Sequence, residues 1–109
     1  MAIETIGQKI HRLRTNHGLT LTQLGAKIGI DSGALSKIEN GKKELDHKCL
    51  PKIAQTFSLD FETLRDEFYS ERIAFEILDN LCDDSVLRLA EEKVRYFRIK
   101  NIKQKEIDF

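Results

Sequence analysis

Residues that break helices or cross-link chains are scarce in this sequence. It has one proline, six glycines and two cysteines in 109 residues. Runs of β-branched residues and strictly alternating apolar segments are also missing, which favours an all-α protein over a sheet. Cys49 and Cys82 lie far apart without metal-ligand spacing, so we expect two free thiols in a reducing compartment.

Other functional classes lack their signatures as well. No apolar run approaches the ~20 residues that a membrane helix needs, and the N-terminus, with Glu4, does not resemble a signal peptide. His11, His17 and His47 share no spacing with cysteines or acids, so no metal site is expected. No nucleophile–base pair, carboxylate pair or phosphate loop suggests an enzyme. We expect a cytoplasmic protein without cofactor, membrane contact or small-molecule ligand.

Charge is balanced over the whole chain but not along it. Residues 1–52 hold nine Lys/Arg and five Asp/Glu, a net charge of +4, whereas residues 53–109 hold nine and thirteen, a net charge of −4. A basic N-terminal half favours contact with phosphates. The acidic run from Asp60 to Asp84 is either a solvated face or a contact for another protein such as RNA polymerase.

Apolar residues recur at helical spacing through most of the chain. They predict helices over Thr5–Asn16, Leu21–Ile28, Ser32–Glu39 and Lys48–Phe57, a fifth beginning near Phe61, and two more over Glu71–Leu81 and from Ser85 to Lys100. The predicted inward positions are Ile6, Ile10, Leu13, Leu21, Leu24, Ile28, Leu35, Ile38, Leu64 and Phe68. The first five helices form a compact bundle over residues 1–69, and residues 70–109 form a C-terminal helical extension.

The segment Leu21–Gly41 has the physical requirements of two short helices that cross steeply through a tight turn. Gly25 and Ala26 are small enough for a close approach between the helices. Gly29 tolerates the positive φ that the turn needs, and Ile30 supplies an apolar plug. The outer face of the second helix is then free for the DNA major groove.

This segment resembles the Xre/Cro/C1-type helix-turn-helix family, which includes the lambdoid phage repressors. The similarity covers roughly residues 5–69. Besides Leu21–Gly41, it is carried by Ile10–Arg14, Gly18–Thr20, Ser36–Lys42, Leu50–Ala54 and Phe57–Asp60. The resemblance implies a five-helix, lambda-repressor-like bundle that binds double-stranded DNA.

The resemblance also implies roles for individual residues. The recognition helix would be Ser32–Asn40, and the residues facing the groove for base readout would be Asp31, Ser32, Gly33, Ser36 and Lys37. The residues meeting phosphates would be Thr20, Leu21 and Thr22 at a helix N-terminus, followed by Asn40, Lys42 and Lys43. Arg14 and Glu39 would form a structural pair between the first and third helices.

Two departures from the family pattern limit the number of side chains that can hydrogen-bond to DNA. Leu21 stands where the family commonly has glutamine, which removes one polar contact. Gly33 and Ala34 are too small to hydrogen-bond a base edge, although Ala34 is suited to a thymine methyl. Readout therefore depends on Lys37 and the two serines, with a contribution from DNA shape.

The C-terminal extension offers apolar positions on helical stripes. They are Ile73, Ile77, Leu81, Val86, Val94 and Phe97. A bundle of five helices is closed without them, so they favour a homodimer interface, although they would also serve to pack the extension on its own bundle. The sequence thus predicts a transcriptional regulator that binds a palindromic operator as a homodimer, similar to restriction–modification controllers and small phage repressors. The alternative is an antitoxin-like module that binds a partner protein.

Overall fold

The computed structural model of the protein describes residues 3–100, in which every regular element is helical. The α-helices are α1 (Ile6–Asn16), α2 (Leu21–Ile28), α3 (Ser32–Glu39), α4 (Leu50–Phe57), α5 (Phe61–Asp79) and α6 (Ser85–Lys100), and a 3-10 turn covers His47–Cys49. The all-α prediction is confirmed, and α1 to α5 form the predicted five-helix bundle. None of these helices combines the length and apolarity needed to cross a membrane.

Local capping determines where the first helices begin. The hydroxyl of Thr5 accepts the N–H of Gln8 at 3.0 Å, and the Gln8 side chain accepts the N–H of Thr5 at 2.8 Å. Thr20 and Gln23 form the same reciprocal pair at the start of α2. Each pair satisfies two backbone donors that the first turn leaves without a helical partner.

The core of the bundle is built from the inward positions of α1 to α5. Leu24 and Leu35 are 0% exposed. The buried apolar residues are Ile6, Ile10, Leu13, Leu24, Ile28, Leu35, Ile38, Leu45, Leu50, Ile53, Ala54, Phe57, Leu64 and Phe68. All of the predicted inward positions are among them except Leu21, which is half-buried against the same core.

The structure differs from the predicted helices in two places. α4 begins at Leu50, not Lys48, because the Asp46 carboxylate accepts the N–H of Lys48 and closes a separate 3-10 turn. The two helices expected on either side of Ser70 are a single helix, α5. No glycine or proline interrupts it, and the Ser70 hydroxyl donates to the Glu67 carbonyl oxygen within the helix.

Two glutamates in the middle of α5 bind residues at the beginning of α1. The ammonium of Lys9 lies 2.6 Å from Oε1 of Glu67. One turn further along α5, Oε1 of Glu71 accepts the N–H of Ile6 at 2.9 Å. These contacts tie α5 to the bundle beyond residue 70.

The chain separates into two compact units, the first ending at Arg72 and the second beginning at Ile73. The second unit contains the last turns of α5, a turn and α6. Leu81 adopts a left-handed conformation, with φ 56°, and Cys82 donates its N–H to the Ile77 carbonyl oxygen at 3.0 Å. No residue between 73 and 100 is buried. The domain boundary at residues 69 and 70 stays a prediction.

Candidate nucleic-acid interface

A turn of three residues joins α2 to α3 and folds back on α2. Gly29 has φ 78°, and its N–H donates to the Gly25 carbonyl oxygen at 2.8 Å. The N–H of Ile30 donates to the same oxygen at 2.9 Å. A Cβ on Gly25 would lie 2.2 Å from the Ile30 carbonyl oxygen, so residue 25 must lack a side chain. Ala26 is exposed, and the expectation that it shares this role is wrong.

α3 begins with small, polar residues that are open to solvent. Oδ1 of Asp31 accepts the N–H of Ala34 at 2.8 Å and caps the helix. Ser32 and Gly33 are exposed in the first turn, and Lys37 is exposed one turn later. One carboxylate oxygen of Asp31 is committed to the cap, and the other accepts no hydrogen bond within residues 3–100.

The end of α3 places two lysines next to the helix. The side-chain amide of Asn40 donates to the Ser36 carbonyl oxygen at 2.9 Å. The N–H of Lys42 donates to the Lys37 carbonyl oxygen at 2.8 Å. These bonds close the helix, and exposed Lys42 and Lys43 follow it directly. Ser36 is half-buried, which leaves its hydroxyl less accessible than that of Ser32.

The N-terminus of α2 supplies backbone donors. Thr20 uses its hydroxyl to accept the N–H of Gln23. The N–H groups of Leu21 and Thr22 donate to no acceptor within residues 3–100. Leu21 is half-buried against the core, so only its backbone is available to a phosphate. Thr22 is exposed and offers its hydroxyl as well.

A buried ion pair holds α3 to α1. Arg14 donates from Nε to Oε2 of Glu39 at 2.7 Å and from Nη2 to Oε1 at 3.0 Å. It also donates from Nη1 to the Leu19 carbonyl oxygen at 2.9 Å. The Glu39 side chain is 4% exposed and that of Arg14 is 13% exposed. Arg14 and Glu39 are therefore paired, and the pair fixes Glu39, the last residue of α3.

His11 belongs to the same cluster and was not predicted. Its Nδ1 lies 2.8 Å from Oε1 of Glu39. Burial alone would raise the pKa of Glu39, but the hydrogen bonds from Arg14 and His11, together with their charges, hold this pKa below its ordinary value. The Glu39 carboxylate is thereby kept ionised. A signal was present in the sequence, because residues 11 and 14 are three apart and lie on one helix face.

Gly7 is a second structural residue that the sequence reasoning missed. A Cβ on Gly7 would lie 2.2 Å from the Ile38 carbonyl oxygen and 3.2 Å from the Glu39 carbonyl oxygen. The backbone of α1 therefore touches the C-terminal turn of α3 directly. A single glycine in a helical pattern does not reveal which backbone it approaches.

Further lysines lie in α2, in the 3-10 turn and in α4. Lys27, Lys48 and Lys52 are exposed. The ammonium of Lys52 lies 4.0 Å from the position that a Cβ on Gly29 would take, next to the turn. The sequence does not single out Lys52, because it is 23 residues from Gly29 in the chain and comes close to the turn only through the packing of α4 against α2.

Comparisons with known proteins find helix-turn-helix proteins. A family model described as helix-turn-helix matches residues 10–64. The chain is similar to the HTH-type transcriptional repressor RghR of Bacillus subtilis (strain 168), with 30% identity over 63 residues, 57% of this chain and 47% of that protein. It is also similar to the HTH-type transcriptional regulator RghRB of the same organism, with 37% identity over 59 residues, 53% of this chain and 42% of that protein. The chain spans about half the length of these curated relatives.

Solved structures with related helices include two regulators. SinR, the master regulator for biofilm formation, in complex with DNA, is 30% identical with a TM-score of 0.49, covering 55% of this chain and 97% of that one. The clp gene regulator ClgR from Corynebacterium glutamicum is 21% identical with a TM-score of 0.49, covering 77% of this chain and 87% of that one.

Proposed function

We propose a function from the family to which the chain belongs, the helix-turn-helix family. The chain is proposed to be a transcriptional regulator that binds a specific DNA sequence as a homodimer. The matched relative RghR is named as a transcriptional repressor, and repression is the proposed direction of control. The proposed operator is a palindrome, because a two-fold dimer presents one recognition helix to each half-site.

One observation carries this proposal. α3 combines an exposed face that includes Ser32, Gly33 and Lys37 with a buried anchor, Glu39. A helix that is held at its C-terminal end and open along its outer face is suited to enter a major groove without losing its position. The basic side chains around it favour phosphates on either side of the groove.

The proposed DNA contacts are assigned from which side-chain or backbone atoms of each residue are open to solvent. Base edges are contacted from Ser32, Ser36, Lys37 and the free oxygen of Asp31, and Gly33 permits a close approach of the backbone. The proposed phosphate contacts are Thr20, Leu21, Thr22, Asn40, Lys42 and Lys43. Lys27, Lys48 and Lys52 are exposed and are added to the proposal as longer-range positive charges.

Lys37 is expected to contribute to sequence-specific DNA affinity, whereas Lys42 and Lys43 are expected to contribute to affinity for DNA of any sequence. Once a random-pool selection has defined the site, Lys37→Ala should weaken specific binding by about 1–3 kcal/mol and relax one base preference. Lys42→Ala and Lys43→Ala should weaken binding to specific and unrelated DNA alike and reduce the salt dependence. Titrations on both DNAs at several salt concentrations measure this. Equal losses on both DNAs for Lys37→Ala would assign Lys37 to a phosphate.

The proposed dimer interface is the second unit. Of the six anchors proposed there, Ile73 is 53%, Leu81 92% and Val94 45% exposed. Ile77, Val86 and Phe97 are half-buried. A monomer seldom exposes this many large apolar side chains on one short segment unless another surface covers them.

A chain that ends at Arg72 should be folded and monomeric, whereas the full chain should be a dimer at micromolar concentration. The cut keeps Glu71, which accepts the N–H of Ile6. In the full chain, Val94→Glu should weaken the dimer, and Ile3→Glu, at a residue 85% exposed outside the second unit, should not. Sedimentation velocity measures all four proteins, and a monomeric full chain would contradict the homodimer.

The same apolar surface gives the alternative function a specific basis. An antitoxin-like module would cover it with a different protein and not with a second copy. The full chain would then sediment as a monomer when alone, while the random-pool selection could still recover a DNA site.

A further inference from the structure

In the second unit, the end of α5 together with the turn after it differs in charge from α6. Residues 73–84 contain four acids and no lysine or arginine, a net charge of −4. Residues 85–100, which form α6, contain five bases and two acids, a net charge of +3. Each segment also carries exposed apolar residues. Each therefore combines an apolar surface with a net charge of one sign, as a protein–protein interface can.

These opposite charges do not pair with each other in the part of the second unit that the structure describes. Among residues 73–100, no acid lies within salt-bridge distance of a base. α6 has no buried residue, and Leu87, Leu89 and Tyr96 are 47–52% exposed. Within residues 73–100 the apolar side chains of α6 are therefore at most partly covered, and its bases have no acid partner there.

Two bases of α6 lie on or beside its apolar stripe. Lys93 is three residues after Ala90 and four before Phe97, which places it within the stripe at helical spacing. Arg98 is four residues after Val94, at the edge of the stripe. Charged residues within an apolar helix surface determine which partner helix binds and how the two helices align. They do so because burying a charge in an interface without an opposite charge costs free energy.

The acidic segment has complementary positions. Glu76 follows Ile73 by three residues and Asp79 follows Phe75 by four, so each acid neighbours an exposed apolar side chain. An apolar surface edged by acids matches an apolar surface that contains bases. In a two-fold dimer such a match occurs twice, once for each copy.

We propose that the second unit binds a second copy of this chain by charge exchange: the acidic segment around Glu76 and Asp79 of one copy packs against the Lys93 and Arg98 side of α6 in the other. This inference rests on the proposed homodimer and specifies its pairing. The two acid–base contacts orient the apolar surfaces, and the pairing excludes arrangements that would place α6 against α6.

Charge reversal tests the pairing in the full chain. The acid-reversed variant carries Glu76→Lys and Asp79→Lys, and the base-reversed variant carries Lys93→Glu and Arg98→Glu. Each should raise the dimer dissociation constant at least about tenfold, because like charges then meet across the interface. Mixing the two variants should form a heterodimer with an affinity close to that of the unmodified dimer.

A matched control uses the other side of α6. Arg88→Glu with Arg95→Glu changes the charge by the same amount as the base-reversed variant, at positions that helical periodicity places opposite Lys93. Its dimer should stay within about threefold of the unmodified protein. Circular dichroism of every variant confirms that helix content is retained.

The outcomes separate this inference from the proposed function. Heterodimer formation by the mixed variants supports charge exchange between copies. If the mixture fails while a single chain with all four reversals dimerises, the charges meet within one chain and the inference is overturned. If neither variant changes a dimer that the unmodified protein forms, charge exchange is overturned and the homodimer stands. An unmodified protein that is monomeric overturns the homodimer as well.

Discussion

Gly7→Ala is expected to lower the free energy of unfolding by about 3 kcal/mol, although helix propensity alone predicts a gain of about 1 kcal/mol from replacing glycine in a helix. The added Cβ would lie 2.2 Å from the Ile38 carbonyl oxygen, and this atom belongs to the backbone of α3. Relief requires α1 and α3 to separate, which loosens the core positions that both helices share. The steric cost should therefore exceed the propensity gain.

Two further glycines test whether the expected loss of stability comes from the close backbone contact. Gly25→Ala should be similarly destabilising, since its Cβ would lie 2.2 Å from the Ile30 carbonyl oxygen. Gly33→Ala is the matched control, because its Cβ would meet only Oδ1 of Asp31, at 3.3 Å, and this side chain can move. Because Oδ1 of Asp31 also caps α3, its small shift offsets part of the gain in helix propensity, and the variant should stay within about 1 kcal/mol of the unmodified protein.

Thermal unfolding and urea titration of the three variants measure these differences. A loss of about 3 kcal/mol corresponds to a fall in Tm of roughly 12–24 °C for a domain of this size. Equal stability of Gly7→Ala and Gly33→Ala would show that α1 and α3 do not touch through their backbones.

The core of the bundle was predictable because it depends on periodicity. Ile10, Leu24 and Leu35 lie at positions that face inward once the helices are drawn, and all three are at most 1% exposed. The turn was predictable for the same local reason, since Gly29 must supply a positive φ between two short apolar stripes.

What the sequence did not reveal depends on contacts between distant segments. Gly7 is significant only because α3 passes close to it, and His11 only because the buried Glu39 carboxylate has an oxygen within its reach. The continuity of α5 past Ser70 also reflects a distant contact, that of Glu71 with the N–H of Ile6. Helical spacing places His11 beside Arg14, but no periodic signal shows which distant carboxylate or backbone atom these residues reach.

Arg14→Ala is expected to destabilise the fold by about 3 kcal/mol before it affects base preference. The Glu39 carboxylate is almost fully buried and accepts two hydrogen bonds from Arg14. Removing Arg14 leaves that charge without its main partner, and breaking a buried ion pair from one side costs about 3–5 kcal/mol. His11 retains its contact with Glu39 and should keep the loss near the lower limit.

The matched control is Arg12→Ala in the same helix. Arg12 also makes a bidentate contact, with Glu4, but both side chains are exposed. Water screens that pair and replaces its hydrogen bonds, so Tm should change little. An Arg14→Ala variant that matched Arg12→Ala in stability while losing DNA affinity would make Arg14 a phosphate contact and contradict its structural role.

The double variant Arg14→Ala with Glu39→Ala, and the dependence of stability on pH, complete the test. Removing both partners leaves no unpaired buried charge, so the double variant should lose less than the sum of the single losses. Folding lowers the pKa of Glu39 from its ordinary value of 4.5. The stabilisation from its ionised form is therefore complete at neutral pH and is lost as the pH falls from about 4.5 through the lower pKa of the folded protein. Glu39→Gln should remove this part of the acid dependence, and an unchanged pH profile in that variant would show that Glu39 is not the group responsible.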